Sequence, residues 1–110
     1  MSMTKAHNFT RKDEINATSA TPLQNAKNEV VTVVGGAITT RPDPETGEEV
    51  TVGYLVTNEY GTMSTISKTA IRGLDMIVDY MADENINELP VMVKSGKSNA
   101  GREFITLQIQ

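Results

Sequence analysis

Between Leu89 and Gln110 apolar residues fall on alternate positions in two successive runs. Leu89, Val91 and Val93 share one parity of the first run, leaving Met92 and Lys94 on the other. Gly96 to Gly101 contains two glycines, serine and asparagine, and no apolar side chain larger than Ala100, the composition of a tight polar turn. Ile105, Leu107 and Ile109 then alternate with Phe104, Thr106 and Gln108, and Arg102 shares the parity of Phe104. The pattern predicts two strands joined by a basic turn. One face is apolar; the other carries an aromatic ring near Lys94, Lys97 and Arg102.

Upstream, Glu29 to Thr40 is a β-branched run that predicts a first strand, and Gly35-Gly36 within it predicts a bulge or sharp bend. Arg41 to Glu49 is rich in structure breakers and reads as an exposed hairpin loop. Val50, Val52, Tyr54 and Val56 alternate with Thr51, Gly53, Leu55 and Thr57 in a second strand, Asn58 to Gly61 turns the chain, and Thr62 to Thr65 is a short third strand. A helix follows. Ser67 is its N-cap, Ile66 and Ile71 are spaced as a hydrophobic staple, and Ile71, Leu74, Val78 and Met81 form its apolar stripe. Asp75, Asp79 and Asp83 make an acidic row away from the stripe, and Asp83-Glu84-Asn85 ends the helix. Residues 1–28 show no period and are expected to be a flexible arm, mildly basic through Lys5, Arg11, Lys12 and Lys27.

The predicted order from residue 29 to residue 110 is therefore β-β-β-α-β-β. This is the order of an OB-fold, an all-β, partly open five-stranded barrel with one helix between its third and fourth strands. Two segments are expected: the arm, 1–28, and an OB-like domain, 29–110.

Composition narrows the chemistry. The chain has 110 residues, enough for one modest core, and no cysteine, which excludes disulfides and thiolate metal sites. No apolar run approaches membrane-span length and no secretory h-region opens the chain, so a cytoplasmic location and no membrane partner are expected. The net charge of −4 argues against a surface that is basic all round. The charge is segregated instead: four acids and no base lie between Asp43 and Glu49, while three cations oppose one acid from Leu89 onward. Gly96-Lys97-Ser98 resembles the end of a phosphate-binding loop, but Val91 stands where that loop needs glycine and a strand follows where it needs a helix. The acidic loop matches no calcium-loop spacing, and His7 has no second histidine or cysteine to complete a metal site. No nucleophile–base pair is indicated. The expectation is a protein that is not an enzyme and carries no metal or cofactor.

What remains is a binding surface. Lys94, Lys97 and Arg102 are suited to phosphate contacts, Gly96 and Gly101 to close approach of the backbone, and Phe104 to stacking on a base. Tyr60, before a turn glycine, is a further stacking candidate; Tyr54 is either another or a core residue. Lys68 and Arg72 lie one turn apart at the start of the helix, where cations oppose the helix dipole and a polyanion would offset the cost.

Two stretches carry a family resemblance. Ser64, Ile66, Ser67, Lys68 and Thr69 lie at the strand end before the helix; Val91, Val93, Gly96, Ser98, Gly101, Phe104, Leu107 and Gln108 define the closing hairpin. Together they resemble the small single-stranded DNA-binding proteins of protein-primed Bacillus phages and related phages of Gram-positive hosts, with Ile109 where that pattern ends in leucine. The resemblance spans about the last fifty residues. It implies an OB-like domain that coats single-stranded DNA of any sequence during phage replication in the host cytoplasm, with Lys68 and Phe104 as the carried-over binding residues. Single-stranded DNA is the implied partner; replication proteins and further copies of the chain are the other partners such a role admits. Two alternatives remain: an OB-type RNA binder, and a non-enzymatic protein-interaction or virion-associated structural module.

Overall fold

A computed structural model describes residues 2–110. Met1, the first residue of the expected arm, lies outside them. In chain order the elements are β1 (Ser2–His7), α1 (Arg11–Asn16), β2 (Thr21–Pro22), β3 (Val30–Pro42), β4 (Glu49–Thr57), β5 (Gly61–Thr65), α2 (Lys68–Asp83), β6 (Leu89–Lys97) and β7 (Glu103–Ile109). From β3 onward, their order is the expected one and their ends lie within two residues of those read from the pattern.

β3 organises the sheet because it is long enough to serve three neighbours. β4 runs antiparallel along one edge, while on the other edge β6 pairs with Val30–Val33 and β1 with Gly36–Thr40. Between Val33 and Gly35 the register with β4 slips. A one-residue slip reverses which side chains face inward. Val31 and Val33 accordingly enter the main core before the slip and Ile38 after it. The paired glycines also permit close approach at this bend. A Cβ on Gly36 would stand 3.1 Å from Leu74 Cδ1 of α2, and one on Gly35 would stand 2.4 Å from the Asn8 carbonyl oxygen.

Strand order across the sheet is β2-β5-β4-β3-β6-β7, with β1 added to β3. The sheet curls into a half-barrel around α2, and its two ends, β2–β5 and β7, share no hydrogen-bonded ladder. Ser67 caps α2 as expected, its Oγ accepting from the Ala70 N–H. Leu74, Val78 and Met81 of the predicted stripe are buried, with Ala70 and Ile77, against Val31, Val33, Leu55, Met63, Val91 and Val93. Ile71 packs at the margin of this core. The expected staple does not form its buried partner: Ile66 is 69% exposed because the chain between β5 and α2 turns its side chain outward.

The main difference from the sequence reading is at the N-terminus. The segment read as an arm without structure contributes two strands and a capped helix. Thr10 and Asp13 form a reciprocal capping box on α1. Leu23 and Ala26 are buried in the main core, and Ala17 joins Val52 and Tyr54 in a second cluster beside Phe9 and Ala20. Lys5 Nζ donates to Asp75 and, at 2.8 Å, to Asp79 of α2. Two of the three aspartates of the predicted acidic row thus anchor β1. The two hydrogen bonds, to Asp75 and then Asp79, raise the Lys5 pKa above its ordinary value. Seven strands among the described residues, rather than five, follow from this segment.

Candidate nucleic-acid interface

The β6–β7 hairpin forms with the predicted facing. Lys94 lies opposite Thr106 and Gly96 opposite Phe104, so Lys94 and Phe104 share the outward face while Val91, Val93 and Ile105 are buried. Ile109, expected inward, is exposed at the strand end, beyond Leu107, the last residue of β7 that packs on the core around α2. The Phe104 ring lies over the bare backbone of Gly96; a Cβ there would be 2.8 Å from Phe104 Cζ. A ring over a strand glycine stabilises the pairing and also fixes the ring's orientation. The turn is closed by the Ser98 N–H donating to the Arg102 carbonyl at 2.9 Å, and Gly101 takes a positive φ of 79°. Lys94, Lys97 and Arg102 are exposed. Glu103, the acid of this hairpin, is paired at 2.5 Å with Lys27.

Beside the hairpin, the seam between β5 and β7 is open and forms a groove of about 640 Å3. Phe104 and Ile105 line it from β7, Ser64 and Thr65 from β5, and residues 17–24 contribute much of the remaining wall. Arg41, at the end of β3, also lines this groove. A second depression, about 580 Å3, is lined by Lys68 and Arg72 together with Ile71 and Val50, and by the acids Glu49 and Asp75. Ile66 borders both depressions, so they meet at this exposed side chain.

The eight candidates therefore sort into three groups. Lys94, Lys97, Arg102 and Phe104 lie on one hairpin, and Lys68 and Arg72 lie beyond Ile66 from it. The two tyrosines form the third group, Tyr54 in the wall of the groove that Phe104 lines and Tyr60 away from it. Tyr54 is only 2% exposed and stacks on Phe9, with centroids 5.9 Å apart and planes at 29°, so it is a core residue that also forms part of the wall of the groove lined by Phe104 and Arg41. Tyr60 is half-buried, and its hydroxyl donates to both carboxylate oxygens of Glu29 at 2.8 Å. That hydrogen bond, with partial burial, raises the Tyr60 pKa above its usual value. Its neighbour Glu59 accepts from the Thr32 N–H at 2.7 Å, which lowers the Glu59 pKa. Tyr60 is thus held in an acidic setting unsuited to phosphate. Arg41 and Ile66 had not been singled out for binding. Arg41 had a readable signal, since it is the only Lys or Arg between Asn28 and Ser67.

A curled β-sheet with a cationic, aromatic hairpin beside an open groove defines a small binding protein for an extended anionic ligand. A family model described as phage single-stranded DNA-binding protein, of the Phi29 type, matches residues 26–110, and the chain belongs to that family. The match reaches well upstream of the fifty residues that carry the resemblance and includes β3, β4 and β5. No curated protein and no solved structure gives a significant match.

Proposed function

We propose that this protein coats single-stranded DNA without sequence preference during phage replication in the host cytoplasm, acting as a non-enzymatic cover. The observation that carries the reading is the outward face shared by Lys94 and Phe104, next to a groove at the unpaired seam of the sheet. Lys94, Lys97, Arg102, Lys68 and Arg72 neutralise phosphates and release counterions, while Phe104 stacks on a base. Stacking of this kind contributes about 1–3 kcal/mol per base. β3 to β7 with α2 correspond to an OB-type barrel left open between its third and fifth strands, with β1 and β2 as additions from the N-terminal segment.

Fluorescence polarisation of a labelled dT oligonucleotide at two salt concentrations, with duplex and poly-U as competitors, tests the proposal. The expected result is binding that duplex and poly-U displace poorly. Five phosphate contacts predict a log–log salt slope of roughly −3.5, at ~0.7 per contact for single strands. Absence of binding at low salt would favour the protein-interaction module. That second reading has its own observation: Met76 and Tyr80 are 70% and 43% exposed on the outer side of α2.

A further inference from the structure

We infer that the seam groove holds a nucleotide of the bound strand, with Arg41 on its phosphate and Phe104 against its base, and that residues 17–24 complete the pocket. The inference rests on the single-strand reading above and assigns a place and a residue that family membership does not supply.

Arg41 and Phe104 line the same groove, placing a guanidinium and an aromatic ring around one space. That pair of groups is complementary to a nucleotide, which joins an anion to a flat ring. Arg41 is exposed, and among the described residues no carboxylate lies within 4 Å of it, although an acidic loop follows directly. Its guanidinium is therefore available. The groove's volume of about 640 Å3 falls among ordinary ligand pockets, roughly 300–1,000 Å3. It exceeds what a base alone would fill.

The local charge is consistent with an anionic guest. Glu103 lines the groove and Asp75 the adjoining depression, and each is already paired, with Lys27 and Lys5 respectively. Lysines of the N-terminal region thus neutralise two acids along the route. Glu49 remains, faced by Lys68 and Arg72 in the same depression. Ile66, bordering both spaces, marks where the strand crosses from Arg41 toward these cations. The wall formed by residues 17–24 lies outside the family match at 26–110.

The test uses the full chain, the labelled dT oligonucleotide and four variants: Arg41→Ala, Arg41→Lys, Ser64→Trp and, as a control on the hairpin, Lys94→Ala. Circular dichroism and thermal melting verify that each folds. Arg41→Ala is expected to weaken binding about tenfold, as for loss of one charge-assisted contact, and to lower the salt slope by about 0.7. Arg41→Lys is expected to restore most of both. Ser64→Trp fills the groove without removing a charge, so affinity is expected to fall with the salt slope nearly unchanged. If Arg41→Ala and Ser64→Trp both bind within twofold of wild type while Lys94→Ala is weakened, the strand runs elsewhere and this inference is wrong, with the single-strand reading intact. If wild type itself does not bind, both are wrong.

Discussion

The C-terminal hairpin and the N-terminal segment are similar in length and opposite in how they are built. Leu89 to Ile109 is a local structure whose two strands pair with each other across one turn, so alternation in the sequence states its register directly. Residues 2–26 pair with nothing nearby in sequence. β1 adds to β3 and β2 to β5, in each case across a long stretch of intervening chain. Their burial also depends on small side chains, Ala17 and Ala26, with Leu23 as the one large anchor. Each alanine removes little apolar area from water, so no hydrophobic period emerges. Local pairing is legible in a sequence; docking on a remote edge by small residues is not.

The comparison is broken most directly at Leu23, which is 1% exposed. Leu23→Ala is expected to cost about 2–5 kcal/mol, seen as a large fall in melting temperature and comparable to Ile105→Ala in the hairpin. A fall under about 1 kcal/mol would show the N-terminal segment to be an appendage after all. A smaller effect, and one confined to the hairpin, is expected from Phe104→Ala. Dissociation constants for dT oligonucleotides should rise by about 1–3 kcal/mol in free-energy terms while cooperative unfolding persists; a variant that fails to fold would place the ring's main role in the Gly96 contact. The least effect is expected at Lys5, whose exposed ion pair contributes little compared with burial. Because its pKa is raised above the ordinary 10.5, its contribution is complete below that value and is lost as pH rises through the higher folded value. Melting of wild type and Lys5→Met should therefore differ slightly near pH 8 and converge in strong alkali. A gap that widens with alkali would contradict the pairing.

The candidate site divides along the same line. The face shared by Lys94 and Phe104 could be read from period-2 alternation, and the capped helix carrying Lys68 and Arg72 from its N-cap and stripe. Tyr54 could not be resolved, because its burial depends on Phe9, whose position depends on the long-range docking of β1. Arg41 was legible as an isolated cation but its neighbour was not: Phe104 reaches the same groove only because the sheet curls and leaves β5 and β7 unpaired. Sequence proximity even argued the other way, by placing Arg41 next to the acidic loop.

Both ends of the curled sheet carry a small stopper. At one, the two residues of β2 lie parallel against Met63 and Ser64 of β5. At the other, the Thr69 hydroxyl donates at 2.8 Å to the Ile105 carbonyl of β7. An exposed edge with unspent backbone groups recruits further strands, and molecules crowded along one DNA would present such edges to each other at high local concentration. At these positions the backbone groups of β5 and of Ile105 are already spent, so a neighbour's strand would find fewer of them to pair with. On the proposed coating role, contact between neighbours at these points would then fall to side chains and to the DNA they share.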